Sequence, residues 1–202
     1  MSKRRQELLS IAAELFAARG FANVTVDDLG DAAGVSGPAL YHHFSGKEAL
    51  LGEMLVDISE YLLEGGRDVV ALGGDDVLER LVRFHAEFAV HDRALITVHF
   101  RDLVHATEAD QQRVRQLQSR YALLWAEELR RRQPALEART AQAAVHATFG
   151  LINSTPFSSR LAAADMVELL SAMALDALDA VTALTYGGAA RRSPVTSEPV
   201  TS

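Results

Sequence analysis

The sequence predicts an all-α protein, and three observations support this fold class. Apolar residues recur at helical spacing along most of the chain, and almost no segment reads as a strand. Serine or threonine precedes several of the periodic segments, as helix N-caps do, while glycines and prolines separate them. The 202 residues, 49% of them hydrophobic, suffice for one large domain or for a small domain joined to a larger one.

The first predicted helix covers residues 3–19. Its apolar stripe runs from Leu8 to Phe16, and the remaining positions carry the charges. Gly20 is expected to end the helix, because glycine adopts a left-handed backbone at little cost. Phe21 then follows where it can pack back on Phe16.

Two short helices are predicted next. Thr25 and Asp28 form a capping box for the first of them, which ends at Gly34. Ser36 caps the second, and Pro38 lies in its first turn, where a missing N–H group is harmless. Both helices are expected to span only a few turns.

The helix after Ser36 carries ring side chains on its outer face. At about 100° per residue, Leu40 and Phe44 share the buried face, whereas Tyr41 and His42 point away from it. A recognition helix in the major groove of DNA needs such an arrangement, with one buried apolar face and with hydrogen-bonding ring side chains on the opposite, exposed face. A plain helical bundle with exposed rings is the alternative that this pattern leaves open.

A longer helix is predicted to begin with a capping box at Ser45–Glu48 and to end near Leu63, before Gly65 and Gly66. Lys47 lies in its first turn, where a cation opposes the helix dipole, so an anion such as phosphate is expected beside it. Five further helices are predicted, over residues 75–91, 94–104, 108–132, 135–153 and 165–186.

Composition excludes several classes of protein. The chain has no cysteine, so a disulfide scaffold and a thiolate metal site are not available. Neither a signal peptide nor a run of about 18 apolar residues is found, so we expect a cytoplasmic protein without membrane contact. The net charge of -7 argues against nucleic acid, but phosphate contacts need only local cations, here Lys3, Arg4, Arg5 and Lys47.

The segment TVDDLGDAAGVSGPALYHHFSGKEALL, residues 25–51, resembles the DNA-binding domain of TetR-type repressors. That family's pattern runs T-hydrophobic-x-x-hydrophobic-A-x-x-A-G-V-S-x-x-x-L-Y-x-H-F-x-x-K-E-x-L, and the resemblance covers residues 3–63. This sequence departs from the family pattern at two positions. Gly30 stands where alanine is common, and Gly37 stands where many members place a polar residue that contacts DNA. The resemblance implies an all-helical dimer with a divergent ligand-binding domain.

Domain limits and DNA contacts follow from these observations together. We predict a DNA-binding domain over residues 1–64, with its helix-turn-helix at about 26–45, and a ligand-binding and dimerisation domain over residues 65–186. Residues 187–202 are rich in Ser, Pro, Thr and Gly, which predicts a disordered tail. The predicted DNA contacts are Thr25, Ser36, Gly37, Pro38, Ala39, Tyr41, His42, His43 and Lys47.

Rings and histidines of the second half indicate a pocket for a small apolar effector, although each of them also fits a plain core. A lipid-like or acyl-thioester effector is one hypothesis, because Arg101, Arg113 and Arg120 lie near the rings in sequence and could meet a carboxylate or phosphate of a ligand. A solvated charged surface is the alternative for these arginines. The five central histidines show no i, i+4 pair, so neither a metal nor a cofactor is expected. The predicted ligand-binding residues are Phe84, Phe88, His99, Phe100, Tyr121, Trp125, His146 and Phe149.

The last two helices are apolar over so much of their surface that each requires partners on two sides. This predicts a homodimer with a four-helix interface that includes Leu170 and Leu178; packing within one chain is the alternative. The sequence contains no recognisable catalytic motif. We therefore expect a ligand-responsive, DNA-binding repressor and not an enzyme; a helical small-molecule-binding protein or an enzyme without DNA binding is the alternative.

Overall fold

The structure is a computed structural model that describes residues 3–35, 44–158 and 160–190, with side chains given for 5–35, 44–158 and 160–181. Within these ranges all regular elements are helical, which confirms the all-α fold class. We number the described helices along the chain as α1 (Lys3–Arg19), α2 (Val26–Ala33), α3 (Lys47–Ala71), α4 (Val77–His91), α5 (Arg93–Asp102), α6 (Glu108–Arg132), α7 (Ala138–Ile152), α8 (Thr155–Ser158) and α9 (Ala163–Ala190). Single 3-10 turns lie at Phe21–Asn23 and Leu103–His105.

The ends of α1 and α2 follow the sequence signals. Gly20 has a φ of 84°, and the rings of Phe16 and Phe21 pack with their centroids 5.2 Å apart. Thr25 and Asp28 form both hydrogen bonds of the capping box at the start of α2. Gly34 ends that helix in the left-handed conformation, with a φ of 64°.

The predicted start of α3 is wrong by one residue. The N-cap is Gly46, whose carbonyl accepts the N–H of Leu50 at 3.0 Å, and no side chain caps this end. Ser45 therefore lies outside the helix, and the capping box predicted from Ser45 and Glu48 does not form.

The predicted end of α3 at Gly65 and Gly66 is also wrong, since the helix continues to Ala71. A Cβ atom added at Gly65 would overlap the ring of Phe84, and one added at Gly66 would lie 2.6 Å from Cε2 of Tyr121. The two glycines thus allow α4 and α6 to approach α3 closely instead of ending the helix. The chain turns at Gly73 and Gly74, which have φ values of 65° and 100°.

The described residues form two apolar cores, one N-terminal and one C-terminal. The N-terminal core is built from α1, α2 and the first turns of α3, and Val98, Ala106 and Val114 from the second half complete it. The C-terminal core joins the second half of α3 to α4, α6, α7 and α9. Because α3 contributes to both, it forms a continuous connection between them.

The last helix, α9, extends to Ala190, four residues beyond the predicted end at Tyr186. The predicted disordered tail therefore begins too early, and its residues 191–202 lie outside the described part of the chain. Among the helices that the structure describes, none has the length and apolar character needed to cross a membrane.

Candidate functional site

Most of the predicted DNA contacts fall in one gap of the structure. Ser36, Gly37, Pro38, Ala39, Tyr41, His42 and His43 all lie outside the described residues, so their roles stay predictions. The helices on both sides of this gap are described, and they carry the two remaining predicted contacts, Thr25 and Lys47.

Thr25 is exposed at the start of α2, where its hydroxyl accepts the N–H of Asp28 at 3.1 Å. The carboxylate of Asp28 accepts the N–H of Thr25 at 2.8 Å in return. Hydrogen bonds from Thr25, followed by the charge of Arg19, hold the pKa of Asp28 below its usual value. The observed role of Thr25 is therefore to cap α2, and its contact with DNA stays a prediction.

Lys47 braces the start of α3 against the turn that precedes α2. Its Nζ donates to the carbonyl oxygens of Phe21 at 2.9 Å and Val24 at 2.7 Å, and it lies 4.2 Å from the centroid of the Phe21 ring. An ammonium group has three donors, and the described part of the chain provides partners for two of them. Carbonyl oxygens of the same chain thus bind the positive charge of Lys47, which opposes the dipole of α3. This structural role of Lys47 was not predicted from the sequence.

Arg5, which we expected among the phosphate contacts, is committed to the protein itself. Its guanidinium donates through Nε and Nη2 to the carboxylate of Glu53 on α3, and it lies 4.4 Å from the centroid of the Phe44 ring. The pair is about a quarter exposed, so it fastens α1 to α3 close to the region of the predicted recognition helix.

Contacts between α5 and the end of α1 connect the two halves of the molecule. Arg101 donates to the carbonyl oxygens of Phe16 and Ala17, and the buried carboxylate of Asp102 accepts its Nε at 3.0 Å. The ring of His105 stacks on Phe21 with centroids 5.0 Å apart. The hypothesis that Arg101 meets a ligand carboxylate is thus not supported, because its guanidinium orients α1 against α5.

Four of the predicted ligand-binding rings meet in one closed cluster around His85, which was not among the predicted ligand-binding residues. We call this set the aromatic cluster; its members are His85, Phe88, Tyr121, Trp125 and Phe149. His85 stacks on Phe149 with centroids 4.8 Å apart, and Tyr121 lies nearly parallel to Phe149 at 5.4 Å. Trp125 is fully buried and meets the Phe149 ring edge-on at 5.0 Å.

Polar partners fix the imidazole of His85 inside this cluster. Its Nδ1 lies 3.3 Å from the Tyr121 hydroxyl, and its Nε2 lies 3.1 Å from Oδ1 of Asn153. Burial lowers the pKa of His85 to about 4, so the ring is neutral near pH 7. The helical spacing of Leu78, Leu81, Val82 and Phe88 places residue 85 on the buried face of α4, and that signal was available from the sequence.

The other four predicted ligand-binding residues are not part of the closed cluster, although the ring of His146 lies 6.5 Å from that of Phe149. Phe84 packs on Tyr61 with centroids 5.6 Å apart, and Phe100 is 65% exposed. His146 is exposed and bonds the Gln142 carbonyl through Nδ1, at 2.8 Å. His99 is half-buried against Gln118 on α6. The eight predicted residues therefore do not line one common cavity in this structure.

Open space lies elsewhere in the molecule. A cleft of about 600 Å³ runs outside α4, and Phe84 and Phe88 are among its lining residues. A second cavity, of about 430 Å³, lies between α1, α3 and the start of α5, and its carboxylates are those of Glu14, Asp57 and Asp92.

The proposed dimer face needs a correction at two positions. Leu170 and Leu178 are 3% and 0% exposed, because both pack into the C-terminal core of their own chain. The neighbouring Leu169 and Met173 are 43% and 48% exposed on α9. Small residues of α7 are exposed as well, namely Ala143, Ala147 and Gly150.

Comparison with known proteins places both halves of the chain in one family. The family described as "Bacterial regulatory proteins, tetR family" matches residues 8–54, and that described as "Tetracyclin repressor-like, C-terminal domain" matches residues 72–157. The chain belongs to the TetR family. The first match covers most of α1, all of α2 and the start of α3, which together form most of the N-terminal core and flank the predicted recognition helix.

Curated TetR relatives resemble part of the chain. The HTH-type transcriptional repressor KstR2 of Rhodococcus jostii is 48% identical over 83 residues, which are 40% of this chain and 41% of that protein. KstR2 of Mycobacterium tuberculosis is 35% identical over 109 residues, 54% of this chain and 52% of that protein. The chain thus spans about half the length, or less, of the curated relatives it matches.

Solved structures of TetR regulators share the fold over nearly the whole chain. A TetR-family regulator from Bordetella parapertussis aligns with a TM-score of 0.76 at 22% identity, over 99% of this chain and 100% of that one. The ketosteroid regulator KstR2 of Mycobacterium tuberculosis gives 0.72 at 24% identity, over 87% and 95%. FadR from Bacillus subtilis, in complex with stearoyl-CoA, gives 0.70 at 16% identity, over 88% and 97%. At these identities the likeness shows the fold alone.

Proposed function

We propose that this TetR-family protein is a cytoplasmic transcriptional repressor that binds double-stranded operator DNA as a homodimer and is released by a small apolar effector. The observation that carries the proposal is the succession of two matches of the same regulatory family, over residues 8–54 and 72–157. Curated relatives that match the chain include repressors. The proposed division is a DNA-binding domain over residues 1–64 and an effector and dimerisation domain over residues 65–186.

A mobility-shift titration on DNA from upstream of the chain's own gene tests DNA binding. We expect a specific complex whose affinity falls steeply as salt rises, because phosphate contacts release counterions. Tyr41→Phe should weaken specific and nonspecific DNA alike, whereas His42→Ala should also change the base preference. A chain that binds its upstream DNA no better than unrelated DNA at every salt concentration would contradict the proposal.

The homodimer is proposed to form through α7 and α9. Leu169 and Met173 present apolar surface on α9, and α7, which packs against α9, exposes small residues that allow two helices to approach closely. Met173→Glu should give a folded monomer, whereas the adjacent core substitution Ala174→Glu should unfold the chain, because Ala174 is fully buried. Sedimentation and circular dichroism separate these outcomes, and a Met173→Glu protein that stays dimeric would move the interface elsewhere.

Effector binding is proposed at the aromatic cluster and the adjacent cleft outside α4. The cluster is closed in this structure, so an apolar effector has to separate its rings. Phe149 is the one member that is half-buried and not fully buried, so the separation is expected to begin there. KstR2 is a ketosteroid regulator and one FadR structure contains stearoyl-CoA, which supports an apolar or acyl-thioester effector for this chain. Mass spectrometry of the copurified small molecules tests the class; retention of polar compounds alone would contradict it.

A further inference from the structure

The cavity of about 430 Å³ at the junction between the two halves has the size of a small-molecule site and does not involve the aromatic cluster. One wall is α1, the second is α3 and the third is the start of α5. Its floor is apolar, and the contributing side chains are Leu9, Ala13, Met54, Ile58 and Leu95.

Asp57 gives this cavity its chemical character. It is half-buried on α3, and its Oδ2 atom is buried with no hydrogen-bond partner among the described residues. Burial, followed by the negative charges of Glu53 and Glu60, raises the pKa of Asp57 to about 6; the guanidinium of Arg5 and the N-terminal amino group act in the opposite direction. That guanidinium is already bound to Glu53. A buried carboxylate oxygen without a partner is costly to the protein, so a cationic partner is favoured there.

Two further carboxylates lie on the side of the cavity opposite Asp57. Glu14 on α1 and Asp92 before α5 both line it. Desolvation raises the pKa of Asp92, the charge of His91 acts in the opposite direction, and the charge of Glu14 raises it further. The lining residues that the structure describes include no lysine or arginine. Tyr61 adds an aromatic ring at the rim, and such a ring attracts an organic cation.

We propose that this junction cavity is a second small-molecule site, which binds an organic cation with an apolar body, such as an alkylammonium compound. The ammonium group lies against Asp57 and Tyr61, and the alkyl body lies on Leu9 and Met54. The three carboxylates reject anions of the same shape, which distinguishes this site from the one proposed for an apolar or acyl-thioester effector.

Occupancy of this cavity acts directly on the DNA-binding half, because α1 forms one of its walls. The far end of α1 is held by Arg101 through the carbonyl oxygens of Phe16 and Ala17. A ligand that displaces the middle of α1 while its end is held changes the angle between α1 and α3, and with it the position of the predicted recognition helix. This coupling rests on the proposed function, whereas the binding itself does not.

Calorimetric titration of the full chain, without DNA, tests the binding. The probes are octyltrimethylammonium, octanoate and octanol, which share an alkyl chain and differ in charge. At about pH 7.5 we expect one octyltrimethylammonium per chain, bound at least about tenfold more tightly than either other probe. Equal affinity for octanoate or octanol would overturn the proposal, since the site would then recognise only the alkyl chain.

Variants locate the site. Asp57→Asn should weaken octyltrimethylammonium binding by about tenfold or more, whereas the matched control Asp68→Asn, on an exposed position of the same helix, should not change it. Ser10→Phe adds a ring at an exposed residue that lines the cavity, so it should block binding while the chain stays folded. Unchanged affinity in both Asp57→Asn and Ser10→Phe would overturn the proposal.

A pH series supplies an independent readout. Affinity should fall as the pH drops through about 6, where Asp57 takes up a proton, and Asp57→Asn should remove most of that dependence. The other charged groups that act on Asp57 are Glu53, Glu60, Arg5 and the N-terminal amino group; Glu14 and Asp92 lie across the cavity, and His91 acts on Asp92. Affinity that does not vary with pH in the parent protein would contradict the role of Asp57. Failure of the chain to bind DNA would leave these binding results intact, so the two proposals are tested separately.

Discussion

The aromatic cluster and the junction cavity show two ways in which one chain treats a polar group inside the protein. In the cluster, the imidazole of His85 is fully buried, but both ring nitrogens have partners in Tyr121 and Asn153. In the cavity, the Oδ2 atom of Asp57 is buried without a partner among the described residues, beside open space. The hydrogen bonding of His85 is complete and contributes to stability, although Nε1 of Trp125 in the same cluster also lacks a partner among the described residues. The carboxylate of Asp57 differs because it borders open space, and its incomplete hydrogen bonding costs stability, which is typical of a binding site.

The largest expected effect is a loss of stability when a tightly packed side chain of the aromatic cluster is truncated, compared with one that lines the junction cavity. Trp125 is fully buried in the cluster, so Trp125→Ala should destabilise the protein by about 3–5 kcal/mol, through lost contacts and the cavity left behind. Urea unfolding measures this loss. Met54→Ala at the junction cavity provides the comparison, because Met54 borders space that is already open; we expect about 2 kcal/mol there. Equal losses at both positions would mean that the cluster is no better packed than the cavity wall.

Close helix packing behind the cluster gives the second prediction. Gly66→Ala places a methyl group against the Tyr121 ring and should cost up to about 3 kcal/mol, since the neighbours of Tyr121 leave it little room to move. Gly150→Ala on α7 is the matched control, because no neighbouring atom of its own chain lies within 4 Å of its added Cβ. With both variants made in the Met173→Glu chain, in which the proposed interface of α7 and α9 is disrupted, Gly150→Ala should be neutral or slightly stabilising. Chemical denaturation of both variants checks the difference, and a neutral Gly66→Ala would show that the ring of Tyr121 adapts.

These glycines also show where sequence reasoning reached its limit. The predicted helix ends at Gly20 and Gly34 were correct because the backbone has positive φ values of 84° and 64° there, which glycine adopts readily. Gly65 and Gly66 carry the same local signal, but they lie inside α3, where the rings of other helices require the missing side chains. Sequence identifies a residue without a Cβ, but only the packed structure shows whether the backbone or a neighbour needs that absence.

The same limit applies to contacts between distant segments. The apolar pattern identified α9, but because more than half of its circumference is apolar, it did not show that Leu170 faces the core while Leu169 faces solvent. Arg101 reaches the carbonyl of Phe16 across 85 positions of sequence, and no local pattern indicates such a contact. In contrast, the family resemblance over residues 25–51 was visible at once, because its signature is local.

Acid should weaken the aromatic cluster, which is the third prediction. Folding lowers the pKa of His85 from 6.5 to about 4, so the unfolded chain binds a proton first as the pH falls. The contribution of neutral His85 to the free energy of unfolding is fully present above about pH 6.5. It is lost progressively toward pH 4, and the loss is about 2 kcal/mol at pH 5. Urea unfolding of the parent protein and of His85→Gln at pH 7 and pH 5 isolates the effect. If the parent loses no more stability than the variant over this interval, the imidazole is not the titrating group.

The junction cavity should respond to acid with the opposite sign, and by the smallest amount. Folding raises the pKa of Asp57 from 3.8 to about 6, so its charge destabilises the folded chain above pH 6, and this penalty disappears below about pH 4. Because the group is only half-buried, solvent screening reduces the penalty to about 1 kcal/mol. Asp57→Asn should therefore raise the melting temperature by a few degrees at about pH 7.5 and leave it nearly unchanged at about pH 4. The control Asp68→Asn should leave the melting temperature unchanged at both pH values. An Asp57→Asn protein that melts below the parent at about pH 7.5 would contradict the prediction, because the Asp57 carboxylate would then have a stabilising partner and would not need a bound cation.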